Sequence, residues 1–275
     1  MSRHVISVVL LWAALTAVGE ALVFADLFPT VGSHEAEDFD HIFRVLLLMG
    51  IPVFNFVIAM LTYSFLRFRA ASPDDEGATF KGTGAIPKVW LALTSALAIT
   101  TIIYPGLTGL RKLQSEANGY GWADTKGELI VHVQAFQWGW QYDYQEWDGK
   151  PLKVSVFSLH GDGNELVLPL EVGARFEIDA TGAAYDFATE EPEGGVLHSF
   201  WIPAFRMKID AIPGRTTTMT VKPSRLGDFS HDSAYRVQCA ELCGLSHTTM
   251  DTPVRVVSQE EFKTWLAEQA KATKK

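Results

Sequence analysis

Cysteine is nearly absent: Cys239 and Cys243 are the only two in a chain of 275 residues. Two thiols cannot staple a small fold together, so no disulfide scaffold is expected. No Cys-x-x-Cys-His string occurs, and no covalently held c-type haem is expected in this chain. Positive charge is in deficit, with 23 Lys and Arg against 32 Asp and Glu and a formal net charge of −9. That balance argues against nucleic acid as a partner. Charged residues make up only 20% and hydrophobic residues 48%. The mean hydropathy of +0.10 excludes disorder and weighs against a wholly soluble protein. No internal repeat is evident.

The apolar residues concentrate in three stretches, at about 5–25, 45–66 and 89–110. Each is long enough to cross a bilayer as a helix, which takes about 20 apolar residues. A cleaved signal peptide competes for the first stretch, but its apolar run is long and a poor cleavage site follows. Glu20 is the only charge within that stretch. An intramembrane acid is a functional candidate, and a buried hydrogen-bonding role is equally open to it. Cytoplasmic loops collect Lys and Arg. Arg3 precedes the first span, and Arg67, Arg69, Lys81 and Lys88 lie between the second and third. The first connection instead holds Asp26, Glu35, Glu37, Asp38 and Asp40. The N-terminus and second connection are therefore expected in the cytoplasm, and the C-terminal part outside. Arg111 and Lys112 dissent weakly.

From Leu113 onward short alternating runs replace the apolar stretches. Strands are expected at 129–133, 136–144, 152–157, 165–169, 175–180, 196–202, 216–221, 235–239 and 252–257. In the second of these, Phe136, Trp138, Trp140, Tyr142 and Tyr144 fall at a period of two, which predicts one aromatic face. Turn residues separate the runs, including an acidic loop at Glu190–Gly195, as in an antiparallel sandwich or barrel. Residues 259–275 read as a helix and tail, with Ser258 and Glu261 forming a capping box. The expected organisation is a membrane helical region over 1–112, a β domain over 113–258 and a C-terminal helix over 259–275.

The chemistry lies in Cys239-Ala240-Glu241-Leu242-Cys243-Gly244-Leu245-Ser246-His247-Thr248-Thr249-Met250. Thiolate, imidazole and thioether are the soft donors that suit copper. Two thiolates at this spacing can bridge two metals, each capped by one imidazole. A second His is then needed from elsewhere, and His198 stands 41 residues before Cys239 on an expected strand. A disulfide would leave the His and Met spacing unexplained, and zinc seldom takes Met. His132, His160 and His231 read as ordinary surface or core residues, and Met207 and Met219 as packing.

This string resembles subunit II of haem–copper cytochrome c oxidases, matching the family's dinuclear copper (CuA) motif in full. Further matches are Gln137-Trp138, Trp140 and Tyr142; Leu166–Pro169; Val196-Leu197-His198-Ser199; and Lys208 with Asp210–Arg215. The second and third spans match the family's helical hairpin, with Trp90 near the start of its second helix. The resemblance covers about residues 41–266, and the first span is an addition to the two-helix plan.

The resemblance implies an α+β membrane protein, with helices leading into a cupredoxin-like Greek-key β-barrel. It implies that Cys239 and Cys243 bridge two coppers and that His198 and His247 each bind one. Met250 and the Glu241 carbonyl become weak axial ligands. The Glu241 side chain reaches a magnesium site shared with subunit I, and Trp138 marks electron input. The implied partners are subunit I, other oxidase subunits, membrane lipid and cytochrome c or a similar donor. The implied location is a bacterial-type plasma membrane, with the copper domain on the outer face.

The chain also departs from the pattern. Gly139 stands where many members have an aromatic, Gly195 where an Asp often lies, and Pro87 where a Glu often precedes Trp90. The first two departures bear on the donor, the third on proton uptake. A copper-delivery or storage module and a CuA domain like that of nitrous oxide reductase are the alternative functions. The quinol oxidase counterparts resemble this chain without its copper ligands.

Overall fold

A computed structural model describes residues 3–25, 27–69, 72, 83–109, 111, 128–181 and 195–272. The acidic stretch at 190–194 and the start of the expected β domain at 113–127 lie outside the described residues. The chain divides into two compact units, residues 1–28 with 40–111, and residues 29–39 with 112–275.

The three apolar stretches are carried by α1 (Arg3–Val23), α2 (His34–Arg67) and α3 (Ala85–Thr101), all in the first unit except residues 34–39 of α2. All three are long and apolar enough to cross a membrane, the third when counted over Pro87–Leu107. Beyond Thr101 the chain reaches Leu107 through a kink, where Tyr104 is extended at φ −139° and ψ 124° just before Pro105. Helix α2 begins eleven residues before its apolar stretch. Glu35, Glu37, Asp38 and Asp40, expected in a connection, lie inside the helix. A helix of 34 residues is about 50 Å long, more than the about 30 Å of hydrocarbon it has to cross. Acidic residues in its first turn also suit the positive end of the helix dipole.

Helix α1 packs on α2. The Trp12 indole donates to the Pro52 carbonyl at 2.8 Å, which satisfies a polar N–H that lipid could not. At Gly19 a Cβ would stand 2.7 Å from the Ile51 side chain, so only glycine allows this approach. Glu20, next to it, is half-buried.

The second unit is a sandwich of two sheets. Its strands are β1 (Leu129–Phe136), β2 (Gly139–Trp147), β3 (Lys150–Leu159), β4 (Leu166–Pro169), β5 (Ala174–Ala180), β6 (His198–Ile202), β7 (Met207–Ala211), β8 (Thr217–Val221), β9 (Gly227–Asp228), β10 (Arg236–Cys239) and β11 (Asp251–Val257). One sheet has the order β3-β2-β1-β5-β8, and the other β4-β11-β10-β6-β7 with β9 beside β11. Pairing is antiparallel except for β1 with β5 and β4 with β11. This is the expected cupredoxin-like arrangement. Strands β1 and β5 alternate buried and half-buried residues along their length, as period-two burial requires. Asp148-Gly149, both at positive φ, turn β2 into β3, a pairing favoured in tight hairpins.

The run 136–144 is not one strand. Gln137-Trp138 is a hairpin turn between β1 and β2, joined by a cis peptide. Only Trp140, Tyr142 and Tyr144 therefore face the core. Phe136 lies on the other side, stacked on Phe157 at 4.7 Å, and Trp138 sits in the turn. Alternation alone could not reveal this, because the turn preserves the apparent period. The two buried tyrosines tie the sheets together. Tyr142 Oη meets Thr252 Oγ1 at 2.7 Å, and Tyr144 Oη donates to the Val167 carbonyl at 2.9 Å. Strands β7 and β9 were not expected from the sequence. β7 does alternate, with Met207, Ile209 and Ala211 on the more buried side and Lys208 and Asp210 exposed, but the run is only five residues long and directly follows β6. Helix α4 (Gln259–Ala272) starts at the expected capping box, with the Glu261 N–H donating to Ser258 Oγ and the Ser258 N–H to Glu261 Oε2. Its Phe262 and Trp265 pack on Tyr144.

Residues 29–36 form a clasp on this sandwich. The Gly32 N–H donates to the Ala204 carbonyl at 2.8 Å, and Arg206 donates to the carbonyls of Pro29 and Thr30. The buried Glu35 carboxylate accepts the Lys222 backbone N–H. Glu171 accepts from both His34 and Lys222, each at 3.1 Å. Partial burial pushes the Glu171 carboxyl up, but these hydrogen bonds outweigh it and hold the pKa below its ordinary 4.5. Asp232 is lowered too, first by the Thr30 hydroxyl. A carboxyl with a depressed folded pKa stabilises fully above its unfolded value and loses that contribution as pH falls through its folded value. The β unit of the intact protein is therefore expected to lose stability below about pH 4.5. Thermal melts between neutral pH and pH 3 test this. Glu171→Gln should shallow the acid limb, and an unchanged limb would remove the clasp from the account.

Candidate metal centre

Strand β10 ends on Cys239 and β11 begins at Asp251, so residues 240–250 form the loop between two antiparallel neighbours. The Cys239 N–H donates to the Met250 carbonyl at 3.0 Å and closes the neck of this loop. The Ala240 N–H donates to the Ser199 carbonyl, tying the loop to β6. His198 is the first residue of β6, which pairs with β10. A single turn of 3₁₀ helix, His247–Thr249, brings His247 and Met250 back toward the cysteines.

These elements gather every sequence-predicted donor. Cys239 Sγ and Cys243 Sγ are 3.7 Å apart as free thiols, so the disulfide reading does not hold. His198 Nδ1 lies 3.8 Å from Cys239 Sγ, and His247 Nδ1 lies 3.4 Å from Cys243 Sγ. Met250 Sδ is 3.7 Å from Cys243 Sγ, and the Glu241 carbonyl oxygen is 3.2 Å from Cys239 Sγ. The Glu241 side chain is exposed and does not join them. His198, Cys239, Cys243 and Met250 are each no more than 2% exposed. Burial lowers the His198 pKa to about 4, with the nearby His247 adding to the effect, and keeps its imidazole neutral. Burial, then the adjacent Cys239 sulfur, pushes the Cys243 thiol up.

Buried donors without a charge partner suit a metal cation, whose charge favours thiolate over thiol. Two sulfurs between two imidazoles, with a thioether and a carbonyl beside them, supply more donors than tetrahedral zinc takes. The soft set fits copper.

Trp138 lies beside this loop. Its indole donates to the Cys243 carbonyl at 3.1 Å, and Gln137 Nε2 donates to the same oxygen at 2.7 Å. Gly244 follows at φ +115°, and a Cβ there would stand 3.0 Å from Gln137 Nε2 and 3.2 Å from Trp138. Glycine is needed here for both conformation and space. The Gln137 contact was not singled out from sequence; the glycine after Cys243 is the one local sign of a close approach. Gly139 also has no room for a side chain, since a Cβ would meet Leu159, Phe136 and the Ser158 carbonyl within 2.8 Å. The aromatic common there among the resembling proteins is excluded by this packing. Leu242 and Leu245 leave the loop outward, 77% and 92% exposed.

The family model for the periplasmic domain of cytochrome c oxidase subunit II matches residues 129–257, spanning every donor named above. This chain belongs to the cytochrome c oxidase subunit II family. A probable cytochrome c oxidase subunit 2 of Rickettsia prowazekii is 28% identical over 258 residues, covering 90% of this chain and 73% of that protein. The cytochrome c oxidase subunit 2 of Synechocystis is 28% identical, covering 90% of this chain and 76% of its own length. Among solved structures, the periplasmic domain of subunit II (CoxB) of Bradyrhizobium japonicum is 30% identical. That comparison covers 54% of this chain and 96% of the CoxB domain, with a TM-score of 0.42. Members of the family are subunits of an oxidoreductase. The chain is a membrane protein whose β unit is the family's periplasmic domain.

Proposed function

We propose that this chain is the electron-accepting subunit of a terminal cytochrome c oxidase, with a dinuclear copper centre at residues 198 and 239–250. The observation that carries the reading is the pair of buried thiols 3.7 Å apart, each with one imidazole Nδ1 beside it and with the Met250 thioether beside Cys243. When bound, a dinuclear copper centre takes up one electron at a time from a donor and gives it to the haem of the catalytic subunit. Cys239 and Cys243 would bridge the metals, His198 and His247 would each hold one, and Met250 and the Glu241 carbonyl would bind weakly. The strands on either side hold these donors in place, and the loop neck keeps water from the sulfurs. The exposed Glu241 carboxylate is free to reach a magnesium ion at the contact with subunit I.

Oxygen reduction and most proton translocation belong to subunit I, and this chain carries no haem. The setting is a bacterial-type plasma membrane, with other oxidase subunits as partners. Ligand burial argues against copper delivery, which requires exchangeable donors. The three apolar helices argue against the nitrous-oxide-reductase-like alternative.

Metal analysis and EPR of the purified full-length chain test this. A delocalised one-electron signal from a copper pair is expected. A single type of Cu(II), Cu(I) alone, or no copper would overturn the reading.

The donor is expected to be a basic cytochrome c. Between Leu113 and Ser258 there are 20 Asp and Glu against 11 Lys and Arg. Such a field steers a basic protein, and salt screens it. Association measured by stopped flow should slow as ionic strength rises above about 0.1 M. A rate that is flat or rising with salt would point to a tethered or apolar donor.

A further inference from the structure

We propose that Gln137 is a positioning residue for the metal centre, holding the Cys243 peptide in the orientation the ligand loop needs. This rests on the reading of that loop as a copper site. Cys243 joins half of the donor set: its sulfur lies within 3.7 Å of Cys239 Sγ, His247 Nδ1 and Met250 Sδ. Its carbonyl lies in a loop, where no strand ladder fixes it. The next residue, Gly244 at φ +115°, has the conformational freedom to let that peptide rotate. Two side-chain donors from the β1–β2 turn prevent rotation by filling both lone pairs of the carbonyl oxygen: Gln137 Nε2 at 2.7 Å and Trp138 Nε1 at 3.1 Å. Gln137 makes the shorter bond. Gly244 leaves room for it, since a side chain there would press on the amide nitrogen.

The amide also acts electrostatically. Its N–H dipole points its positive end at the ligand loop, which favours the less positive, reduced state of a bound centre. Gln137 is exposed on its outer side, so a residue that only touched the donor could occupy the same place. The two roles separate experimentally, because a docking residue changes donor KM and leaves the centre itself unchanged.

The test uses the intact oxidase purified in detergent, with Gln137→Met and Gln137→Glu. Methionine keeps the length without the donor, and glutamate turns an acceptor toward the carbonyl. Both variants should show a lowered reduction potential, a shifted copper spectrum and several-fold faster copper release to a chelator, with glutamate the stronger. Trp138 still holds the carbonyl, so copper is retained in the absence of chelator. If spectrum, potential and release rate match wild type in both variants, Gln137 is not a positioning residue, whatever happens to donor KM. If the wild-type oxidase lacks a copper-pair signal in this subunit, the reading of the centre fails first and the inference with it.

Discussion

Cys243→Ser should abolish the dinuclear centre and, with it, oxidation of cytochrome c. Each sulfur approaches three other donors: Cys243 Sγ meets Cys239, His247 and Met250, and Cys239 Sγ meets His198, the Glu241 carbonyl and Cys243. Removing the Cys243 sulfur therefore breaks the bridge and leaves His247 and Met250 without the atom they converge on. Serine offers a hard hydroxyl that does not ionise at neutral pH, a poor substitute for a thiolate toward copper. At most one metal should remain, held by Cys239 and His198, with a localised signal in place of a delocalised one. The structural cost is small by comparison. Cysteine and serine differ little in volume, and α1, α2 and α3 are remote in sequence from the change. Membrane insertion is thus the internal control. Copper content and EPR of the variant decide the matter: a full copper pair with an unchanged spectrum would sink the assignment.

Trp138→Phe should slow electron input about tenfold, equivalent to about 1.4 kcal/mol on the barrier, while the metal centre survives. No donor atom is touched. Phenylalanine retains much of the packing volume where Trp138 lies against the core, so large destabilisation is not expected. The indole and its N–H bond to the Cys243 carbonyl are lost, and with them the most direct contact between the half-exposed aromatic and the ligand loop. Gln137 keeps the same carbonyl bound, which is why the copper should stay. Rapid-mixing measurements with reduced donor should show the slower phase alongside a retained copper-pair signal. A wild-type rate would make Trp138 a packing residue only. Gly139, which has no room for a side chain, supplies no second aromatic beside Trp138 in the chain.

Some of this protein was legible from its residues because the information is local. Apolar runs at 5–25, 45–66 and 89–110 mark helices by length alone, since a bilayer sets how many apolar residues a span requires. Alternation marked β1 and β5, because a strand buries every second side chain. The Cys-x-x-x-Cys-x-x-x-His-x-x-Met spacing put four donor residues, with Glu241 between the first two, into one short segment, since residues that close in sequence cannot lie far apart in space. The tertiary structure decided the rest. His198 meets Cys239 only because β6 pairs with β10, and no periodicity within either strand encodes which partner it takes. Trp138 lies against the Cys243 carbonyl because the aromatic run turns at Gln137-Trp138, a break that a repeat of two conceals. Residues 29–36 belong with the β unit because their hydrogen bonds run to residues 171–232, far along the chain. Sequence pattern fixes which face of an element is buried; hydrogen bonding and packing between distant segments fix what that face is buried against.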